Sequence, residues 1–383
     1  MPKIGVLLPR SSYYDMIGFD IHEGLRSGLA QAGREDIRII TENIGFGADK
    51  NSVYRAAERM LLDENIAVVF AYLTQRSAQL LRPLFMAANR LLIVLDAGAN
   101  LPQEWPTTPN ILYHSLHNSL GAWLSGKMAV QDGYSEGGMV TGYYDGGYLH
   151  TAAITFGFQQ NGGAIAFNHA TGYVKEDFSM TPLLDFRAEK PDSCLLSLFS
   201  GDFNEWFFRD LNEVYSTNCP PVYLAPFSFE EMMLEKAEYP GERVQGVASW
   251  SSELENAANK QFCEVLTDSG KTPNLFSLLG WEAASLAIFA LEAMETNKNN
   301  GRAATETLKS KTFESPRGMI RFHDASNTTL APMYKAKVVN NGNNFCKLVI
   351  QEELTDIALA YDELFALNLD GAISGWYNSY TCN

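Results

Sequence analysis

Cysteine is scarce and scattered: Cys194, Cys219, Cys263, Cys346 and Cys382, with no C-x-x-C among them. That spacing excludes a zinc ribbon and a thioredoxin-type dithiol. An odd count leaves at least one thiol unpaired, and Cys346 with Cys382 is the only pair considered for a bridge. Positive charge is also short, with 29 basic against 45 acidic residues and a net charge of −16. A surface of that sign repels phosphate backbones and anionic lipid, so nucleic acid is not an expected partner. No apolar stretch reaches the roughly 20 residues of a membrane helix, so the chain is not expected to span a membrane. Nor does Met1 open a basic, then apolar, then small-residue leader. An exported chain whose signal has been removed and a cytoplasmic chain both stay open.

Signatures of catalysis are missing too. Ser269-Gly-Lys-Thr272 contains the GKT of a phosphate loop, but it lacks the Gly five residues before Gly270, and Pro273 follows at once. An ordinary turn before a helix is the simpler reading. Gly45-Phe-Gly47 lacks the third Gly of a dinucleotide fingerprint, and no G-x-S-x-G elbow exists. His114 and His117 stand three apart at a strand-to-helix junction, with no carboxylate or Cys at matching spacing, so no metal is expected. Adjacent Glu230 and Glu231 read as a solvated helix start, continued by Glu235 and Glu238. No nucleophile, acid–base pair or cofactor is therefore assigned, and the chain is not expected to be an enzyme.

What is present is a rhythm. Lys3-Ile-Gly-Val-Leu-Leu-Pro9 is a near-continuous apolar run, suited to a strand buried on both faces of a parallel sheet. A helix near 19–32 follows, with Ile21, Leu25, Leu29 and Ala32 on one face and Gly33 as its stop. Strands at 37–41, 66–71 and 91–95 alternate with helices near 52–63 and 76–89, and an extended piece runs over 111–116. The pattern restarts with a strand at 138–144, a helix at 148–160 and strands at 192–199 and 221–224. An extended stretch at 244–250, helices near 277–296 and 303–310, a strand at 318–323 and a hairpin over 330–350 turning at Asn340–Asn344 complete it. At 383 residues the chain accommodates two such doubly wound α/β units, each with its own core. Open sheets of this kind hold ligands in the loops at the carboxyl ends of their strands.

Several segments carry a family resemblance: Lys3–Pro9, Val68–Gln79 running into Pro83, and Leu91–Ala99. Tyr144-Asp-Gly-Gly-Tyr148, Pro191-Asp192 before a strand, and Thr312–Phe322 add to it. In order and spacing these resemble the type I periplasmic binding proteins, specifically the leucine/isoleucine/valine-binding family of importer receptors, over essentially the whole chain. The resemblance implies two doubly wound parallel-sheet lobes joined by three crossing segments, near 116–120, 247–251 and 323–329. One lobe would comprise 1–117 plus 250–324 and the other 118–249 plus 325–383, with a ligand cleft between them.

The same resemblance implies a set of ligand-binding residues. The family's serine-rich loop after the third strand corresponds to Thr74 and Gln75, where a hydroxyl and helix N-terminal amides meet a carboxylate. The loop after the fourth strand corresponds to Asp96, Ala97 and Gly98, which lose the family's threonine and introduce an acid. Tyr148 matches the family's flanking tyrosine, and Phe199 with Ser200 stands where relatives carry another. At Ala225-Pro226-Phe227 an acid that receives an amino acid's ammonium is replaced by Phe227. Either Asp96 supplies that partner, or Phe227, Phe199, Tyr148, Tyr13 and Tyr72 form an aromatic box for a flatter ligand, with Ser12 beside it; core packing is the competing reading of each aromatic. Arg10 and Arg76 flank the same loops and read more simply as solvated surface residues. The implied function is a receptor that hands a small polar ligand to the permease subunits of an ABC importer, in the periplasm or at the cell surface. The alternative is a cytoplasmic ligand sensor of the same fold, resembling the amide-sensing regulator, that signals to a protein partner.

Overall fold

The computed structural model describes residues 1–101, 108–147, 149–215, 218–241, 243–323, 325–340, 346–367 and 380–381. In chain order the first segment is β1 (Lys3–Leu8), α1 (Ile17–Gln31), β2 (Arg38–Asn43), α2 (Lys50–Leu62), β3 (Val68–Tyr72), α3 (Gln75–Ala88), β4 (Leu91–Asp96) and β5 (Ile111–Ser115). The second is α4 (Asn118–Gln131), β6 (Glu136–Thr141), α5 (Leu149–Gln159), β7 (Ala164–Ala170), α6 (Thr181–Glu189), β8 (Cys194–Leu198), α7 (Gly201–Tyr215), β9 (Val222–Leu224), α8 (Glu231–Leu234) and β10 (Val244–Ala248). Then come α9 (Ala257–Asp268), α10 (Leu275–Thr296), α11 (Gly301–Lys309), β11 (Thr312–Ser315), β12 (Gly318–His323) and β13 (Thr328–Leu330). The chain closes with β14 (Met333–Asn340), β15 (Cys346–Leu354) and α12 (Ile357–Phe365).

These elements cluster into two units. Unit 1 takes Met1–Leu116 and Glu255–Ala331, together with Tyr380 and Thr381; unit 2 takes His117–Leu254 and the segment that starts at Pro332. The chain thus changes unit at 116/117, 254/255 and 331/332, and again before Tyr380. Residues 325–331 go with unit 1 because β13 pairs with β5 and β12 there. Tyr380 goes with it because its ring lies 5.2 Å from Tyr14 and 5.3 Å from Phe276.

Unit 1 is an eight-stranded sheet ordered β11-β12-β13-β5-β4-β3-β1-β2, parallel from β2 through β13. Its β3, β4 and β5 are buried at every position, which is why they read as near-continuous apolar runs, whereas edge strand β2 is nowhere fully buried. Unit 2 is a seven-stranded sheet ordered β15-β14-β10-β9-β8-β6-β7, parallel from β7 through β10. In both, the parallel part runs second, first, third, fourth, fifth, the order that reverses beside the first strand.

Each unit also carries one close helix pair made by glycine. A Cβ on Gly24 would stand 1.9 Å from the Ser277 carbonyl oxygen and one on Gly280 2.0 Å from that of Ile21, so α1 and α10 touch backbone to backbone. In unit 2, Gly157 and Gly126 play the same part between α5 and α4, at 1.9 Å from Trp123 O and 2.1 Å from Ile154 O. By length and composition α10 is apolar enough to cross a membrane, unlike the sequence reading, but 67% of that stretch is buried inside the protein, as in a core helix.

Several elements escaped the sequence reading, α4 and β7 among them, for physical reasons. All of Asn118–Gly126 in α4 is buried, so no polar stripe marks a 3.6-residue period. Strand β7 lies at the sheet edge with exposed and half-buried positions alternating and none fully buried, so no core-facing apolar run marks it. The segment Ser269–Thr272 is the turn between α9 and α10, with Gly270 at φ +71°. The hairpin of β14 and β15 is present, while its turn at 341–345 lies outside the described residues.

Candidate functional site

The carboxyl ends of β3 and β4 open into a recess lined by Tyr72, Leu73, Thr74, Gln75, Asp96, Ala97, Ala99 and Asn100. Two parallel strands place their following loops side by side, so residues some twenty apart in sequence share one wall. Thr74 is the N-cap of α3, its Oγ1 accepting from the Ser77 amide at 3.2 Å. A first helical turn has amides without intrahelical partners, and the helix dipole favours an anion there.

Asp96 supplies the opposite character. Its Oδ1 accepts from the Gly98 amide at 2.7 Å, an Asx turn in which Gly98 takes φ +75°. Its Oδ2 accepts from Gln75 Nε2 at 3.4 Å, and the Ser115 side chain also hydrogen-bonds it. Asp96 is only 7% exposed, and this burial raises its pKa from 3.8 to about 6 against the pull of those hydrogen bonds.

Next to the recess stands an aromatic group within unit 1. Tyr14 lies 5.5 Å from Phe276 and 4.9 Å from Tyr13, and Tyr72 lies 6.5 Å from Phe276, all edge-on. The β1 loop is held by Tyr14 N donating to Ser11 Oγ and Arg10 N to Gly45 O. Ser12 is exposed and Tyr13 half-buried. Of the residues anticipated from sequence, Tyr72, Thr74, Gln75, Asp96 and Ala97 meet in the recess, and Gly98 holds Asp96 through its amide. Arg10 and Arg76 are exposed. Asn100, Phe276 and Tyr380 were missed. Asn100 could have been found as the next polar residue of the β4 loop, whereas nothing local marks the other two.

In unit 2 the anticipated aromatics fare differently. Phe199, at 1% exposure, packs in the hydrophobic core, stacked 4.6 Å from Phe207 and edge-on to Phe178. Its backbone is clamped by Ser228, whose Oγ donates to Phe199 O and accepts from Phe199 N. It is therefore a core residue rather than a ligand wall. Phe227 is buried against His150, with ring centroids 4.5 Å apart, and burial lowers the His150 pKa to about 3, keeping it neutral. Tyr148 lies outside the described residues. Asp145, in the loop that follows β6, accepts from Ser200 N and Ser200 Oγ, both at 2.8 Å, tying the β6 and β8 loops; burial raises its pKa to about 6.

Three further readings change. Glu230 is buried, not solvated: it caps α8 through Met232 N, and burial raises its pKa to about 8. Glu231 accepts from Ser252 N and from the Ser251 and Ser252 hydroxyls. His114 does have a carboxylate partner, far off in sequence: its Nε2 lies 2.7 Å from Glu282 Oε2, inside a buried network with Arg317. Among the described residues, no three His, Cys, Asp or Glu side chains are arranged to hold a metal. Cys194, Cys219, Cys263 and Cys346 are not joined in disulfides, and Cys382 lies outside the described residues.

A family model described as "Periplasmic binding protein" matches residues 2–343. No curated protein matches the sequence. Solved structures do. An ABC transporter substrate-binding protein from Sphaerobacter thermophilus is 18% identical, with a TM-score of 0.80 over 93% of this chain and 98% of its own. A solute-binding protein from Rhodopseudomonas palustris BisB5, solved with 3,4-dihydroxybenzoic acid, is 18% identical, with a TM-score of 0.75 over 92% and 97%. A branched-chain amino acid ABC transporter periplasmic ligand-binding protein from Burkholderia xenovorans is 14% identical, with a TM-score of 0.74 over 92% and 95%. At these identities the likeness speaks for the fold.

Proposed function

Because the chain belongs to the periplasmic binding protein family, we propose that it is the solute-binding receptor of an ABC importer and acts without making or breaking a bond. The observation that supports this most is the recess at the β3 and β4 ends. A helix N-terminus and a buried carboxylate share one small wall there, an arrangement for holding a small polar molecule. The ligand class proposed is an amino acid or a related carboxylate, ring-bearing ones included. The solved relatives include proteins holding 3,4-dihydroxybenzoate, benzoate and 4-hydroxybenzoate. Occupancy is proposed to be signalled to permease subunits. The family implies the periplasm as the place of work, with the cell surface as its equivalent.

A thermal-shift panel of amino acids, amides, carboxylates, aromatic acids and nucleosides tests this. A true ligand at 100 times its dissociation constant adds about 2.7 kcal/mol of stability. It should be recovered unchanged, and X-ray scattering should show the chain compacting in its presence. Chemical conversion of a bound compound, or a panel without a single saturable shift, overturns the reading.

A further inference from the structure

We infer that Asp96, Gln75 and Asn100 form an acceptor set receiving a hydrogen-bond-donating group of the ligand, an ammonium or a hydroxyl, and so select what is bound. The inference rests on the receptor reading above and adds the chemistry of one wall. Gln75 is 3% exposed, and its Oε1 is buried without a hydrogen-bond partner among the described residues. The orientation of that amide follows from its neighbour: Nε2 faces Asp96 Oδ2, and the flipped amide would set acceptor against acceptor. Asn100 Oδ1 is likewise buried without a partner, and it lines the same recess. Asp96 completes the set. Its carboxylate has about four lone-pair directions, and the contacts on it are hydrogen bonds from Gly98, Gln75 and Ser115.

Buried acceptors without donors are costly, so native sites supply donors. One trapped water offers two, and a carboxylate offers none. An ammonium offers three along with the opposite charge, and a hydroxyl offers one. Among the described residues the groups that hydrogen-bond Asp96 are Ser115, Gly98 and Gln75, all neutral, which leaves room for a donor supplied by a ligand. The N-terminus of α3 stands beside the set, at Thr74. A ligand with a carboxylate at that end and a donor at the other would satisfy both.

Isothermal titration of the full chain with matched probes decides the matter: L-phenylalanine against 3-phenylpropionate, L-leucine against 4-methylpentanoate, and 4-hydroxybenzoate against benzoate. In at least one pair the donor-bearing member should bind about 10- to 100-fold more tightly. Discrimination in the amine pairs identifies an ammonium, and in the phenol pair a hydroxyl. Asp96→Asn should erase the preference. Gln75→Met, which leaves the Asp96–Gly98 turn intact, should reduce it about 5- to 10-fold, with circular dichroism showing that both variants fold. Equal affinity within every pair that binds, or preference unchanged in both variants, overturns the inference while leaving a receptor in place. Absence of binding by these probes and by the wider panel removes the receptor reading itself.

Discussion

Removing Arg317 should destabilise unit 1 selectively and severely. The side chain is 1% exposed, in the turn between β11 and β12. Its Nε donates to Glu282 Oε1 at 2.8 Å, and its terminal nitrogen to Glu282 Oε2 at 3.0 Å and to the Ser115 carbonyl at 3.1 Å. Glu282, on α10, also accepts from Ser315 Oγ and holds His114 Nε2, while His114 Nδ1 meets Thr329 Oγ1 at 2.9 Å. One carboxylate thus ties α10 to β5, β11 and the β11–β12 turn, and through His114 to β13. Arg317→Met keeps much of the packing volume but strands that carboxylate, at about 3–5 kcal/mol. For a unit of this size the midpoint falls by roughly 2–4 °C per kcal/mol, hence about 10 °C. The exposed pair Lys190–Glu136 of unit 2 is the control, where Lys190→Met should cost below about 1 kcal/mol.

Calorimetry should show one transition moving in Arg317→Met and the other staying. Adding Glu282→Gln should restore much of the loss, since the stranded charge is then gone. Acid follows the same logic. The Arg317 and His114 charges, with their hydrogen bonds, outweigh burial and hold the Glu282 pKa near 2, below its ordinary 4.5. Its contribution is therefore complete above about 4.5 and fades as pH falls toward 2, so wild type and Arg317→Met should converge there. Burial lowers the His114 pKa, which takes further stability from the wild type as pH drops below 6.5. A loss under about 1 kcal/mol, equal shifts in both transitions, or no recovery in the double variant would refute the reasoning.

Asp96→Asn should stabilise the ligand-free protein at alkaline pH. The folded pKa is raised from 3.8 to about 6, so the ionised carboxyl carries a penalty that is absent below about 3.8 and complete above about 6. At about 1.4 kcal/mol per pH unit the gain is at most about 3 kcal/mol at pH 8 and near zero at pH 3.5, read from urea melts at both. Thr74→Ala should cost about 0.5–2 kcal/mol in the same melts, because the hydroxyl caps α3 whatever else it touches. Gly157→Ala should lower unit 2 by about 1–3 kcal/mol and leave unit 1 alone, since the added carbon would meet the Trp123 carbonyl at 1.9 Å.

The sequence by itself determined the central strands of both sheets, the helices α1, α2, α3, α5, α10 and α11, and the loops that follow β3 and β4. Burial on both faces writes Val68–Tyr72 and Leu91–Asp96 as apolar runs, and burial on one face writes the stripe of α1. Because the recess residues end a strand or come within three residues of its end, Tyr72, Thr74, Gln75 and Asp96 were legible as neighbours once the sheet was parallel. Tertiary structure alone decided the rest. It sent Phe199 into the core, brought Phe276 and Tyr380 to Tyr14, and joined His114 to Glu282 across 168 residues of chain. Periodicity records how much of an element is hidden, and a spacing of three or four records which side. Neither records what lies opposite. That pairing is set when helices and sheets pack, by which faces fit and which buried charges must find partners.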